Sequence, residues 1–259
     1  MRRLDRAVRR SEAGGEPLPP VFKALEAMKI VLRRSEITMI AGQPGAGKST
    51  LALALALRMR VPTLYFSADT GAHTMGMRCL SMLSNKTQEE AELSLQKEPA
   101  WSNKVLQDTR HIMWSFDSSP TLEDMDTEVK AFEELWGTPP MLIVVDNLID
   151  ISDGGGEEFS QMRQTMKELK YLARMTNAAV LVLHHTSEAY DGNPCPPRSA
   201  IQGKVSQLPG LICSVAQTAT GDLAVAPLKN RYGKADPSGS TATFLVFNGE
   251  SMLLADRVS

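Results

Sequence analysis

The feature that most constrains this chain is residues 42–49, Gly-Gln-Pro-Gly-Ala-Gly-Lys-Ser, which fit the pattern G-x-x-x-x-G-K-[ST] at every defined position. Glycines let such a loop curl so tightly that successive backbone N–H groups point inward, where they can bind phosphate oxygens. A lysine at the position of Lys48 reaches the β- and γ-phosphates of a nucleoside triphosphate, and a hydroxyl at Ser49 binds Mg²⁺. This phosphate loop therefore predicts a nucleotide site formed by Gly42, Gln43, Pro44, Gly45, Ala46, Gly47, Lys48, Ser49 and Thr50.

The segments on either side of the phosphate loop provide the context that a phosphate site requires. Residues 36–41 read as a strand, and residues 50–59 are strong helix formers. A loop that leads from a strand into a helix places the free N–H groups of the helix N-terminus beside the anion. A glycine loop that only turned the chain would not explain the adjacent Lys48 and Ser49.

Length and composition limit the classes of protein to consider. At 259 residues the chain can bury a full α/β core, most simply as one domain with short extensions. The formal net charge is −2, so any DNA contact must come from local clusters of cations or from an assembled surface. Three cysteines without metal-ligand spacing predict a reducing compartment, and no apolar run is long enough to cross a bilayer. We therefore expect a cytoplasmic protein without membrane contact.

The order of elements along the chain predicts three segments. Residues 1–20 are expected to form a flexible basic tail, since arginines are followed by glycines and prolines that break any helix. Residues 21–35 are expected to form a short linker helix, and residues 36–259 the nucleotide-binding domain. Strands alternate with helices up to about residue 185, and short strands joined by tight turns follow. This pattern predicts an α/β fold with a mostly parallel central sheet and C-terminal antiparallel strands.

Asp146 is the first candidate for chemistry outside the phosphate loop. It ends the continuous apolar run 141–146, which predicts a strand buried on both faces. A carboxylate at this position can hold Mg²⁺, usually through a water, opposite the hydroxyl of Ser49. The alternative is an ordinary aspartate that begins a turn, but a complete phosphate loop in the same chain favours the metal role.

Asp69, His184 and His185 lie at strand ends on the same side of the predicted sheet. The carboxyl ends of parallel strands converge on the ligand crevice, so Asp69 and Asp146 could both reach the γ-phosphate. Asp69 is then the candidate that orients or deprotonates the attacking water, and capping of the next helix is its alternative role. His184 and His185 end the apolar run 179–185 and should face opposite ways. The histidine that faces the nucleotide can donate a hydrogen bond to the γ-phosphate.

Lys229 and Arg231 follow an apolar strand in the C-terminal part of the chain. A single protomer has little reason to end a core strand with two cations. Between subunits they could reach a neighbour's γ-phosphate and stabilise the charge of the transition state, as an arginine finger does. The alternative is a strand end that simply faces solvent.

Together these local sequences resemble the RecA-like ATPases, specifically the core of hexameric DnaB-type replicative helicases and their RepA-like relatives. Residues 66–70, Phe-Ser-Ala-Asp-Thr, stand where that family has Phe-Ser-Leu-Glu-Met, so Asp69 occupies the place of the catalytic glutamate. The strand that ends at Asp146 resembles the Walker B strand, and His185 falls at the γ-phosphate sensor position. The resemblance covers most of residues 30–250 and implies a RecA-like P-loop NTPase core that uses ATP and Mg²⁺.

The family resemblance extends to the C-terminal cations. Residues 229–233, Lys-Asn-Arg-Tyr-Gly, resemble the family's Lys-x-Arg-x-Gly, in which the lysine and arginine act in trans on the neighbour's nucleotide. The resemblance therefore implies a homo-oligomer, in that family a hexamer, in which Lys229 and Arg231 complete the neighbour's site.

Two further segments, at about residues 152–160 and 187–204, lie where the family has its DNA-binding loops. The first is acidic rather than basic. The second contains Arg198 and Lys204, which are therefore the candidates for contact with single-stranded or forked DNA.

These features predict an ATP-hydrolysing, DNA-binding protein that acts as a ring-shaped helicase or DNA-remodelling motor in replication, recombination or repair. In a ring, a few cations per subunit repeat around the channel, so a net-acidic protein can still bind phosphates. A metal-dependent nuclease on the same fold is one alternative, because Asp146, Asp150 and Asp153 lie close in sequence and carboxylate clusters bind catalytic metals. A non-translocating ATP-binding loader or regulator is another.

Overall fold

The computed structural model describes residues 15–151, 158–187 and 192–257, without the side chains of residues 158, 159 and 204. The predictions for most of the basic tail and for parts of both candidate DNA loops therefore lie outside the described residues. No helix within the described ranges has the length and apolar character needed to span a membrane.

The described strands form one nine-stranded sheet. In chain order they are β1 (Ile37–Gly42), β2 (Thr63–Ser67), β3 (Ile112–Ser115), β4 (Leu142–Asp146), β5 (Ala179–His185), β6 (Leu211–Gln217), β7 (Leu223–Asn230), β8 (Thr243–Asn248) and β9 (Leu253–Asp256). Their order across the sheet is β3-β2-β4-β5-β1-β6-β7-β8-β9. Neighbouring strands from β3 to β6 are parallel, and those from β6 to β9 are antiparallel. The predicted fold class is confirmed.

Helices connect the parallel strands. The α-helices of the described residues are α1 (Lys23–Ala27), α2 (Lys48–Met59), α3 (Ala72–Ser84), α4 (Gln88–Lys97), α5 (Pro99–Leu106), α6 (Leu122–Trp136) and α7 (Glu158–Thr176). Short 3₁₀ helices are η1 (Gln107–Thr109), η2 (Leu148–Asp150), η3 (Arg198–Ala200) and η4 (Gln202–Gln207). The start of α6 is fixed by a capping box, in which the Thr121 side chain accepts from the Asp124 N–H and the Asp124 side chain accepts from the Thr121 N–H.

Each face of the sheet carries its own hydrophobic core, because side chains alternate along each strand. Ile40 of β1 packs on one face with residues of α2 such as Leu51 and Leu55. Met39, its neighbour, packs on the other face with residues of α6 and α7 such as Met125, Phe132, Met166 and Leu169. The sheet is thus covered on both sides, and its strand ends are left to form the site.

The N-terminal segment corrects the prediction of a flexible tail for its described part, residues 15–20. Leu18 is 2% exposed, and its N–H donates to the Leu32 carbonyl oxygen at 2.8 Å. Leu18 and Phe22 belong to the core on the α2 side of the sheet. Prolines and glycines do prevent a helix here, but burial of these apolar side chains holds the segment in place. The division of the chain at residues 20 and 35 otherwise remains a prediction.

The register of the parallel strands brings several predicted site residues to one edge. Gly42 at the end of β1 pairs with His185 at the end of β5, and Ser67 at the end of β2 pairs with Asp146 at the end of β4. We call this the nucleotide edge of the sheet. Since β7 runs antiparallel to β6, residues that follow β7 lie at the opposite edge, where the parallel strands begin.

Candidate nucleotide-binding site

Backbone geometry and packing both require glycines in the phosphate loop. Gly45 and Gly47 have φ angles of +75° and +93°, in the left-handed region that residues with a side chain disfavour. A Cβ on Gly47 would lie 2.9 Å from Leu223 Cδ1, and a Cβ on Gly42 would lie 2.8 Å from the Val215 carbonyl oxygen. The loop is therefore shaped by its close contacts with β6 and β7.

Lys48 begins α2, so the helix N-terminus and the phosphate loop face the same space. The side chain of Lys48 is largely buried, and its Nζ donates to the carbonyl oxygens of Gly42 at 3.1 Å and Gln43 at 2.9 Å. Burial lowers the pKa of Lys48, and the carboxylates of Asp146 and Asp69 oppose that shift. A phosphate oxygen would offer this ammonium a charged acceptor in place of two neutral ones.

Asp146 is 5% exposed at the end of β4. Its Oδ1 accepts a hydrogen bond from the Ser49 hydroxyl at 3.2 Å, and its Oδ2 accepts one from the Tyr65 hydroxyl at 3.2 Å. Burial raises the pKa of Asp146, whereas these two hydrogen bonds lower it. No lysine or arginine of the described ranges forms an ion pair with the carboxylate. A buried carboxylate without an ion-pair partner among the described residues, beside a serine hydroxyl, provides oxygen donors that fit Mg²⁺.

Asp69 lies exposed at the mouth of the site, just after β2. The preceding Ala68 N–H donates to the Asp146 carbonyl oxygen at 2.9 Å, which ties this turn to the end of β4. Charge interactions link Asp69 to Lys48, Asp146 and His185. Because α3 begins with a glycine cap and no side chain caps it, Asp69 does not have the alternative role of helix cap.

The two histidines at the end of β5 differ in surroundings, as alternation along the strand predicts. His184 is completely buried, and its Nε2 lies 3.0 Å from the Gln202 carbonyl oxygen. His185 is partly exposed and lies beside Gly42. Burial lowers the pKa of His184 to about 4, and burial followed by the charge of Lys48 lowers the pKa of His185. The His184 imidazole is therefore neutral at pH 7. Of the two histidines, His185 is the one next to the phosphate loop.

Lys229 and Arg231 do not approach the phosphate loop of their own chain. Lys229 pairs with Ile212, which pairs with Met39 of β1. Met39 precedes Gly42 by three residues, or about 10 Å along the strand, and Arg231 follows the end of β7 and lies farther still. The two cations are thus at the opposite edge of the sheet from the nucleotide edge.

Hydrogen bonds and one glutamate hold the cations at this opposite edge. Lys229 Nζ donates to the Gln207 carbonyl oxygen at 2.7 Å. Glu36 Oε2 lies 2.6 Å from Lys170 Nζ and 3.5 Å from a terminal nitrogen of Arg231. Burial lowers the pKa of Lys229, and the charge of Arg231 adds to that shift. Because Arg231 is exposed, its ion pair with Glu36 restrains the arginine side chain only weakly.

The candidate DNA contacts and the nuclease alternative depend partly on residues outside the described ranges. A terminal nitrogen of Arg198 in η3 donates to the Ser206 carbonyl oxygen at 3.3 Å. Lys204 lies in η4, but its side chain is not described. The described residues contain no group of three or more His, Cys, Asp or Glu that could hold a metal ion. Asp153, one of the three aspartates of the nuclease hypothesis with Asp146 and Asp150, lies outside them.

Two contacts of the site were missed from the sequence. Tyr65 donates to Asp146, and Gln217 at the end of β6 donates from Nε2 to the Gly45 carbonyl oxygen at 3.1 Å. Alternation along β2 places Tyr65 on the same face as Ser67, which ends the strand. A tyrosine at this position could therefore have been predicted to reach toward the site. Gln217 carries no comparable signal, because its contact depends on the pairing of β6 with β1.

Comparison with known proteins identifies the family. Residues 8–191 match the family described as AAA domain, and this match covers more than half of the chain. The chain belongs to this family. The AAA-domain protein is 35% identical over 255 residues to "Gene 65 protein" of Mycobacterium phage L5, with 94% of each chain covered.

Two further relatives of this AAA-domain protein bear on its fold and class. It is 23% identical over 182 residues to "Replicative DNA helicase DnaB" of a Nostoc species, which covers 67% of this chain and 21% of the helicase. The solved structure "The Structure Of A DnaB-Like Replicative Helicase And Its Interactions With Primase" superposes with a TM-score of 0.81 at 15% identity, and the match covers 98% of this chain and 67% of that one. The protein is therefore a P-loop ATPase, and its core has the expected RecA-like fold.

Proposed function

We propose that this AAA-domain protein is an ATP-driven, ring-forming DNA motor, a helicase or DNA-remodelling protein of replication, recombination or repair. The relative named as a replicative DNA helicase and the fold shared with the solved DnaB-like helicase support this class of function. The observation that carries the proposal is the position of Lys229 and Arg231, at the edge of the sheet away from their own phosphate loop. A second copy that supplied these cations would complete the site.

Within one protomer, each residue of the site has a task that follows from its position. Residues 42–50 bind the phosphates, with Lys48 exchanging its carbonyl partners for phosphate oxygens. Asp69 at the mouth orients or deprotonates the attacking water, and His185 donates a hydrogen bond to the γ-phosphate. Ser49 and Asp146 would hold Mg²⁺, which would supply positive charge to offset the negative charge of the phosphates.

Between protomers, Lys229 and Arg231 act in trans on the neighbour's γ-phosphate, so the active form is a homo-oligomer, and we propose a hexamer. The repeated subunits then bring Arg198 and Lys204 to the backbone of single-stranded or forked DNA. The three buried cysteines, all unpaired, support a site of action in the reducing cytoplasm.

The test is ATP hydrolysis with and without single-stranded DNA, with the mass of the particle measured in the same solutions. We expect nucleotide and DNA to favour an oligomer and DNA to stimulate hydrolysis, and we expect Lys48→Ala to abolish hydrolysis. Arg60→Ala is the matched control, because it removes an exposed arginine whose partner, Asp108, is also on the surface. An oligomer whose hydrolysis is unaffected by DNA at low salt would contradict a DNA motor.

A forked duplex separates the helicase from the alternatives. A helicase displaces the strand only with ATP and loses this activity in Lys48→Ala. Binding and oligomerisation without displacement would instead favour a loader or regulator. Cleavage of the DNA in Mg²⁺ without ATP, retained by Lys48→Ala and lost in Asp146→Ala, would identify a nuclease.

A further inference from the structure

Tyr65 places a buried hydroxyl on the aspartate at the end of β4. Tyr65 is completely buried in the core on the α2 side of the sheet, and its hydroxyl lies 3.2 Å from Asp146 Oδ2. The other oxygen of the same carboxylate, Oδ1, lies 3.2 Å from the Ser49 hydroxyl. An ionised carboxylate only accepts hydrogen bonds, so both hydroxyls donate to it. One oxygen of Asp146 is thus directed at the phosphate loop and the other at the protein interior.

The strand register explains why a tyrosine reaches this carboxylate. Tyr65 pairs with Val144 in the parallel ladder of β2 and β4, and Val144 and Asp146 share a face because side chains alternate. Two residues of strand advance about 7 Å, a distance that the ring and hydroxyl of a tyrosine can span. The ring centroid of Trp114 lies 5.0 Å from that of Tyr65. The strand register and the contact with Trp114 therefore direct the Tyr65 hydroxyl toward Asp146. The orientation of the tyrosine ring does not depend on the hydrogen bond alone.

Ser49 and Tyr65 are the side chains of the described ranges that hydrogen-bond to the Asp146 carboxylate. Arg78 is near enough for its charge to favour the ionised form, but one of its terminal nitrogens donates to Thr70 Oγ1 at 3.3 Å. Arg78 therefore acts at a distance, and Tyr65 is the interior group that holds an oxygen of Asp146 directly.

We propose that Tyr65 is a positioning residue for Asp146 in holding Mg²⁺, directly or through a water, an inference that rests on the metal role proposed above for Asp146. By engaging Oδ2, the hydroxyl restrains rotation of the carboxylate and keeps Oδ1 directed at the phosphate loop. It also replaces water that the buried carboxylate has lost. Hydrogen-bond partners of this kind orient metal ligands, and their removal typically weakens metal binding about 10- to 100-fold.

The test separates Mg²⁺ binding from nucleotide binding in the full-length protein. The affinity for a fluorescent ATP analogue is measured first in EDTA and then at increasing Mg²⁺ concentrations. The wild type is compared with Tyr65→Phe, which removes the hydroxyl and keeps the ring. We expect unchanged affinity in EDTA and a half-saturating Mg²⁺ concentration raised about 10- to 100-fold. Trp114→Phe is the matched control, since it alters the same packing and leaves the hydroxyl in place. If Tyr65→Phe needs no more Mg²⁺ than the wild type, or Trp114→Phe needs as much as Tyr65→Phe, the proposal is wrong.

Asp146→Asn distinguishes a failure of this inference from a failure of the proposed metal role. If Asp146→Asn leaves the Mg²⁺ requirement unchanged, Asp146 does not hold the metal. The proposed metal role of Asp146 and the positioning role of Tyr65 are then both wrong. If it raises the requirement, Tyr65→Phe should add nothing further in that background, and an additional loss would show that Tyr65 acts elsewhere.

A second measurement applies if Tyr65→Phe does not fold. Incorporation of 3-fluorotyrosine at residue 65 keeps both ring and hydroxyl. Its ¹⁹F resonance should move when Mg²⁺ is added to the protein with bound ATP. An unmoved resonance would contradict the proposal.

Discussion

Two glycines of the phosphate loop provide a matched test of how β7 shapes the nucleotide site. Gly47 has a φ of +93°, and a Cβ there would lie 2.9 Å from Leu223 Cδ1, closer than real Cβ atoms approach. Gly45 has a φ of +75°, and a Cβ there would meet no heavy atom within 4 Å. Alanine at either position is strained in its backbone, but only Gly47→Ala also overpacks the contact with Leu223.

The two costs can be estimated separately. A left-handed conformation costs alanine about 1–2 kcal/mol, and the stiffer unfolded chain offsets about 0.4–1 kcal/mol of it. Gly45→Ala should therefore lower the free energy of unfolding by about 1 kcal/mol. Overpacking adds about 1–3 kcal/mol, so Gly47→Ala should lower it by about 2–4 kcal/mol.

Urea unfolding followed by circular dichroism measures both variants against the wild type. Leu223→Ala removes the clashing atom, so in that background the cost of Gly47→Ala should fall toward that of Gly45→Ala. Equal losses for the two glycine variants, or a Gly47→Ala loss that Leu223→Ala leaves unchanged, would show that contact with Leu223 does not add to the cost at Gly47.

Three further predictions concern stability and reactivity. Burial lowers the pKa of His184 in the folded protein to about 4, whereas an unperturbed histidine has a pKa of about 6.5, so the unfolded chain takes up the proton first as the pH falls. The stability linked to neutral His184 is therefore complete above pH 6.5 and is lost as the pH falls from 6.5 to about 4. Urea unfolding at pH 7 and 4.5 should therefore show a drop larger in the wild type than in His184→Gln by about 2–3 kcal/mol, and equal drops would disprove it. Thr121→Ala, which removes the cap of α6, should cost about 1 kcal/mol in the same assay, whereas the exposed mid-helix Thr127→Ala should change stability by less than about 0.5 kcal/mol. Burial raises the pKa values of Cys79 and Cys195 to about 12, so iodoacetamide at pH 7.5 should modify neither until the protein unfolds, and mass spectrometry of the treated native protein would reveal an error.

Most of the fold could be predicted because its signals are local. The phosphate loop, the cap at Thr121 and the apolar run that becomes β5 each depend on residues within a few positions of one another. Residues 179–185 were expected as a strand, and the strand has those bounds. The segment 15–20 was mispredicted because only its prolines act locally. The burial of Leu18 depends on contacts with distant parts of the chain, which the local sequence does not reveal.

The contacts that complete the site could not be predicted in the same way. Tyr65 and Asp146 are 81 positions apart, and Gln217 and Gly45 are 172 positions apart. Whether such residues meet depends on strand order and register, which one sequence does not specify. The placement of Asp146 at a strand end was predictable, but the group that holds its second oxygen was not.

We propose that each nucleotide site is completed by Arg231 of a neighbouring subunit. The most direct test mixes equal amounts of Lys48→Ala and Arg231→Ala, because each inactive variant keeps the half of the site that the other lacks. In randomly mixed oligomers about a quarter of the interfaces pair an intact phosphate loop with an intact Arg231, so hydrolysis should recover to about a quarter of the wild-type rate. If the oligomer forms and the mixture hydrolyses ATP no faster than the two variants alone, Arg231 does not act in trans.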